Sequence, residues 1–525
     1  MFDDLDYSQP YASARSPVMG NNMVACSQPL AAQAGLDMLR RGGNAVDAAI
    51  AAAMVLTVVE PTGCGIGSDA FAIVWDGKKL QGLNASGRSP QAWSPEHFAG
   101  QTEMPQRGWG AVTVPGAVSA WVALSERYGK LPFATLAGPA IGYARDGYQV
   151  TPIIAELWRR GSALLKDQPG FAECFLQGGK APQPGEKVTL KDHATTLELI
   201  AETKGESFYR GELAQKIIAH ANANGSVMSL DDLARHDVDW IDTLSVPYAG
   251  AVVHELPPNG QGIATLAGLT MLEALGVGEH AVDSVETVHP VLEAMKLALA
   301  DLNHHVADND HMRVASEHLL DPAYLMERAS LITEQAADPQ HGAPKAGGTV
   351  YLSAADENGM MVSFIQSNYM GFGSGIVVPG YGISLQNRGA GFSSDPASAN
   401  VVAPGKKPFH TIIPAFLTKD GVPQMSFGVM GGDMQPQGHV QTLVRMLDYQ
   451  QQPQAACDAP RWKVNHDFSV DLEATMNTQA VEGLASRGHR LKSVEDPYMD
   501  FGSGQFIWRL SEDVDHGYVA ASDSR

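Results

Sequence analysis

The chain has 525 residues, 58 acidic against 36 basic, and a formal net charge of −22. That balance argues against nucleic acid and anionic membrane as partners. No repeat, low-complexity run or charge block divides it, so it reads as one large globular body.

The N-terminus, Met1-Phe2-Asp3-Asp4-Leu5-Asp6, is acidic and lacks the basic and apolar regions of a secretory signal, which points to a cytoplasmic protein. Cys26, Cys64, Cys174 and Cys457 are scattered without Cys-x-x-Cys spacing, against a disulfide framework or zinc site. A helix is expected from Leu30 to Arg41, ended by Gly42 and Gly43. Asn44 can cap the next, Ala45 to Val59, which is apolar all round and reads as a buried core helix. It is too short to span a bilayer and carries Asp47. Gly63-Cys64-Gly65-Ile66-Gly67 lacks the spacing of a dinucleotide-binding loop. Strand signals cover Ala70 to Trp75, Ala251 to Glu255, Val350 to Ala355, Met361 to Gln366 and Gln424 to Val429. Hairpins mixed with long helices give a layered α+β body. His304, His305 and His311 read as a polar loop after a helix rather than a metal site.

The chemistry concentrates at Gly347-Gly348-Thr349-Val350-Tyr351. An unhindered glycine precedes a threonine that opens a strand. Asp356-Glu357-Asn358-Gly359 then turns the chain into a returning strand. Cut before Thr349, that residue carries a hydroxyl nucleophile and an α-amine base. A free α-amine titrates near pH ~8, so much of it accepts a proton at neutral pH. Gly-Gly-Thr alone is more often a turn; the rest of the chain changes that balance.

Ordered motifs run along nearly the whole sequence. They include Ser27-Gln28-Pro29-Leu30-Ala31, Gly42-Gly43-Asn44-Ala45-Val46-Asp47-Ala48-Ala49 and Val114-Pro115-Gly116. Glu293-Ala294-Met295-Lys296, Gly373-Ser374-Gly375, Gly431-Gly432 and Ala459-Pro460-Arg461 follow. The chain resembles the γ-glutamyltransferase family of N-terminal-nucleophile hydrolases. The resemblance implies a four-layer αββα sandwich and a precursor cut into 1–348, the large subunit, and 349–525, the small one. It implies Thr349 as nucleophile and base, the Gly348–Thr349 bond as cleavage site, and the N–H groups of Gly431 and Gly432 as oxyanion donors. Ser367 matches a family threonine that hydrogen-bonds the nucleophile. The family chemistry needs no cofactor and no metal.

The substrate anchors differ. The family arginine falls at Ser86 in Asn84-Ala85-Ser86-Gly87-Arg88, and the aspartate that holds an α-ammonium falls at Gly391. A serine pair becomes His410-Thr411, and an asparagine becomes Tyr369. The replacements, Arg88, Tyr369, Arg388, His410 and Thr411, are cationic or neutral and suit an anionic acyl group. This is most like the oxamate amidohydrolase branch, so the expected reaction is oxamate to oxalate and ammonia in purine breakdown. Glutathione hydrolysis by γ-glutamyl transfer, or a glutaryl-type acylase, is the alternative. A non-catalytic binding member is the third reading, against which the retained Gly348, Thr349 and glycine pair stand. Expected partners are a small anionic amide and the protein's own two processed chains, with oligomerisation left open.

Overall fold

The computed structural model describes residues 15–339, 348–495 and 500–525; of Gly348 and Thr349 only the backbone is described. Two antiparallel sheets lie face to face. One has six strands in the order Met23–Cys26, Gly348–Ala355, Met361–Tyr369, Asp69–Trp75, Leu80–Asn84, Asp239–Ile241. The other has seven: Val18–Gly20, Tyr518–Ser522, Ser503–Arg509, Val422–Met430, Ala415–Lys419, Ala251–Glu255, Leu244–Tyr248. Alternate residues of each sheet, among them Phe71, Ile73, Tyr351, Ile365, Phe416 and Ile507, meet in the layer between them. Helices cover both outer faces, which gives the expected αββα sandwich.

Local chemistry accounts for the best-formed elements. The helix Ala45–Val59 is buried along its whole length and packs on the strands Gly348–Ala355 and Met361–Tyr369. Asn44 and Asp47 close a capping box at its start. The first-turn N–H of Ala45 is taken by Asp356 Oδ2 at 2.9 Å, so the hairpin after Thr349 also pins this helix. Asp356 Oδ1 accepts from Asn358 N at 2.9 Å, and Gly359 closes the turn at φ +89°.

Two expectations shift. The strand expected to end at Gln366 continues to Tyr369. The histidines His304 and His305 lie inside the helix Val285–His305, because the buried Met295, Leu299 and Leu302 continue its apolar face past the expected end. His311 stands 3.6 Å from Asp308 Oδ2. The glycines of the 63–67 segment serve packing: a Cβ on Gly65 would meet Ser384 Oγ at 2.0 Å.

Candidate active site

The site is organised by one irregularity in the six-stranded sheet. Gly348 lies opposite Tyr369, but Val350 lies opposite Gln366. One residue, Thr349, therefore faces two, Ser367 and Asn368. Such a bulge re-aims side chains and is common beside reactive centres. Tyr369 adopts φ +79°, a left-handed conformation rare for a non-glycine residue. Ser367 Oγ is buried and accepts from Tyr369 N at 2.7 Å. Asn368 is engaged elsewhere, accepting from Ser68 Oγ at 2.8 Å. The Thr349 hydroxyl and residues 340–347 lie outside the described residues.

The strand Val422–Met430 stops at Gly431 and Gly432, and the helix Met434–Leu443 begins just beyond them. Both glycines have positive φ, +132° and +61°. A Cβ at Gly431 would also meet Gly502 Cα at 2.8 Å, so a side chain there is excluded twice. The buried Gln261 fixes the turn from below. Its Nε2 donates to Gly432 O at 2.8 Å and to Thr411 O at 2.5 Å. It thereby ties the glycine turn to the His410–Thr411 segment, a link that no local pattern signals.

Arg388 is 1% exposed. Its Nη1 donates to Thr411 Oγ1 at 2.9 Å, and its guanidinium carbon lies 4.7 Å from the centre of the Tyr369 ring. Nε and Nη2 are buried with no hydrogen-bond partner among the described residues. Burial lowers its pKa to about 10, opposed by Asp69 and then Tyr369. Behind it, Asp69 accepts from Gly116 N at 3.0 Å and Gly87 N at 3.3 Å. Burial raises the Asp69 carboxyl to about 7, with Arg388 the chief opposing charge.

His410 Nε2 sits 3.1 Å from Asp69, and its Nδ1 accepts from Ile412 N at 3.4 Å. Nε2 therefore carries the proton. The ring is fully buried, and burial, then Arg388 and Lys407, hold it well below the usual imidazole range. Expected from the sequence as a substrate contact, His410 has both ring nitrogens engaged by the protein, Nε2 with Asp69 and Nδ1 with Ile412 N. Arg88 goes elsewhere too. It is half-exposed and reaches Asp308 Oδ2 at 3.4 Å and Gly405 O at 3.2 Å. It lines a separate cleft of about 50 Å³ with His236 and Lys407.

A larger cavity, about 250 Å³, opens beside Tyr369 and Gly391. Its wall combines Met104, Leu302, Val306, Phe392 and Phe409 with Thr102, Glu103, Ser393 and Asn400. Asp433, immediately after the glycine pair, was given no role from sequence. It is 5% exposed, and among the described residues neither carboxylate oxygen accepts a hydrogen bond; His466 Nε2 lies 3.6 Å from Oδ2. Burial raises its pKa to about 7, and it acts electrostatically on Tyr369. Its position in Gly431-Gly432-Asp433 was the available signal.

Among the described residues, no helix is long and apolar enough to cross a membrane. The family model described as gamma-glutamyltranspeptidase matches residues 31–525. The chain is 36% identical over 490 residues to a glutathione hydrolase-like YwrD proenzyme of Bacillus subtilis, covering 92% of this chain and 93% of that one. It is also 36% identical over 494 residues to an oxamate amidohydrolase proenzyme of Klebsiella pneumoniae, with coverage of 92% and 93%. Its fold matches the crystal structure of a cephalosporin acylase from Bacillus halodurans at a TM-score of 0.94 and 48% identity, over 100% of this chain and 98% of that one. The chain belongs to the γ-glutamyltranspeptidase family and is an enzyme of the amide-cleaving, N-terminal-nucleophile type.

Proposed function

We propose that the protein is made as one chain, cuts itself between Gly348 and Thr349, and then hydrolyses amides whose acyl group carries a carboxylate. The observation that carries this reading is Arg388: a buried guanidinium whose Nε and Nη2 have no hydrogen-bond partner among the described residues, beside Tyr369. A buried charge without partners is costly, and a substrate carboxylate would complete its fork. In cleavage, the Thr349 hydroxyl attacks the Gly348 carbonyl, the acyl group moves from nitrogen to oxygen, and water hydrolyses the ester. The freed α-amine then takes the hydroxyl proton as Oγ attacks the substrate amide. The N–H groups of Gly431 and Gly432 stabilise the oxyanion. The leaving nitrogen takes its proton from the α-ammonium, and a second water releases the acid. Ser367 steadies the nucleophile, and Asp69, His410 and Thr411 hold Arg388.

Oxamate is the smallest amide of this kind, giving oxalate and ammonia, and a relative carries that activity in its name. A second reading, a glutaryl-type acylase, is favoured by the cavity of about 250 Å³ and its apolar wall. That volume exceeds what a two-carbon acid fills, and the similar crystal structure is of a cephalosporin acylase. A γ-glutamyl substrate would need its α-ammonium paired, and Gly391 offers no charge; Asp433 is the buried carboxylate available for it.

The deciding assay compares ammonia release from oxamate with aniline release from glutaryl and γ-glutamyl anilides, using wild type and Arg388→Met. On the preferred carboxylate substrate, Arg388→Met should lose roughly 30- to 100-fold in kcat/KM, as expected when one partner of a buried charged pair is removed. Unchanged turnover in Arg388→Met would refute the carboxylate grip. Intact mass should give two chains for wild type and one for Thr349→Ala.

A further inference from the structure

A second buried polar group lies away from this site, on one face of the helix Val285–His305. His289, Glu293 and Lys296 are spaced i, i+4 and i+7, so they share that face. All are 1–3% exposed. Glu293 Oε1 is 2.8 Å from Lys296 Nζ. His489, 6% exposed and from the 349–525 half, completes the group. Lys296 Nζ lies 3.4 Å from His489 Nδ1, and His489 Nε2 lies 2.7 Å from His289 Nδ1. His289 Nε2 then lies 2.7 Å from Thr333 O.

These contacts fix the protons. An ammonium can only donate, so His489 Nδ1 accepts. Its Nε2–H therefore donates to His289 Nδ1, and His289 Nε2–H donates to the Thr333 carbonyl. Both rings are neutral in this arrangement. Burial first, and then for His489 the Lys296 charge, lowers both, His489 to about 3. His289, Glu293 and His489 would offer three ligand atoms within 4.8 Å of one another. Lys296 already supplies the cation there, so the group reads as a clamp and not a metal site.

What it clamps is one stretch of chain. Lys296 Nζ donates to Ala337 O at 3.0 Å, and Ala337 N donates to Glu293 Oε2 at 2.9 Å. Ala336 N donates to Arg487 O at 2.7 Å, and Arg490 Nη1 pairs with Asp338 Oδ2 at 2.9 Å. Residues Thr333 to Asp338 are thus held from both sides, and the chain passes from them through 339–347 to Gly348. A buried Lys–Glu pair is weak evidence of stabilisation, because apolar residues of similar size often stabilise as well. Its better-attested use is to specify one arrangement, and here the arrangement specified is the path of this segment.

We infer that Lys296, Glu293, His289 and His489 form a positioning clamp for self-cleavage, holding the approach to Gly348 so that its carbonyl meets the Thr349 hydroxyl. This rests on the self-cleavage proposed above. Misplacing the carbonyl slows the attack, since small errors of approach cost an order of magnitude or more.

The test is a pulse of in vitro synthesis followed by timed denaturing gels. The first variant, Lys296→Met with Glu293→Leu, replaces the pair by apolar residues. The second, Ala337→Pro, deletes the N–H that donates to Glu293 Oε2 and changes no buried side chain. Both should cleave about tenfold more slowly than wild type, while turnover per cleaved molecule stays at the wild-type value. Wild-type cleavage rates in both variants would overturn the clamp. So would slowing that tracks a fall in Tm and vanishes on cooling, since that reports folding alone. Wild-type protein that stays whole would instead overturn the self-cleavage reading, and the clamp with it.

Discussion

Arg388 is held by groups of three different kinds: the Thr411 hydroxyl, the face of Tyr369 and, further back, the Asp69 charge. This leaves the guanidinium fixed in place with Nε and Nη2 unpartnered among the described residues. Asp433 is its opposite in charge and alike in burial. In the unfolded chain this carboxyl titrates near 3.8, and in the fold near 7. Below about pH 4 both states hold the proton, and the group does not destabilise the fold. Between 4 and 7 the folded chain keeps a proton that the unfolded chain has released, so stability falls as pH rises. Above 7 that contribution is gone, a loss on the order of a few kcal/mol. Asp69 and Glu60, raised by burial to about 7, act in the same direction. Buried histidines held low, among them His410 and His489, act in the opposite direction over the same range, so the prediction is a difference: from pH 5 to pH 8, Asp433→Asn should lose less stability than wild type, or gain more. An identical slope in Asp433→Asn would mean that Asp433 is ionised and paired in solution.

Two elements were legible for physical reasons. The helix Ala45–Val59 has a capping residue, a preceding glycine pair and no polar face, so its bounds and burial followed from neighbours in sequence. The hairpin at Asp356–Gly359 was equally local. Asn44 also donates to Tyr128 O at 2.6 Å, so Asn44→Ala should lower stability by about 1–2 kcal/mol in denaturant titration while leaving kcat unchanged. What sequence could not give was the pairing. The bulge opposite Thr349 depends on register between strands, and register is not written in either strand alone. Gln261 reached the glycine turn across 171 positions, and Asp69 reached His410 across 341. Arg88 and Arg388 looked equivalent as loop arginines, yet one is half-exposed against Asp308 and the other is buried on Tyr369. His410 looked like a contact because it stands where the resembled family has a serine pair, and sequence gives no sign that both ring nitrogens are engaged.

At the scale of the whole molecule, the proposed cut falls inside a fabric woven from both halves. In the six-stranded sheet, Gly348–Ala355 and Met361–Tyr369 sit between Met23–Cys26 and Asp69–Trp75. In the seven-stranded sheet, Ala251–Glu255 pairs with Ala415–Lys419, and Val18–Gly20 pairs with Tyr518–Ser522. Each core layer therefore draws on 1–348 and 349–525 together, and neither half holds either of the two large sheets by itself. Cutting one backbone bond removes none of these pairings, so the two chains should stay together in native mass spectrometry. The cut should instead change how the protein unfolds. An uncut Thr349→Ala chain unfolds to one molecule, and its Tm should not depend on concentration. The cut protein unfolds to two, so mass action should raise its Tm as concentration rises. Calorimetry over a hundredfold range of concentration separates the cases. A concentration-independent Tm for the cut protein would mean that the halves unfold separately or stay associated when unfolded, against a single core built from both.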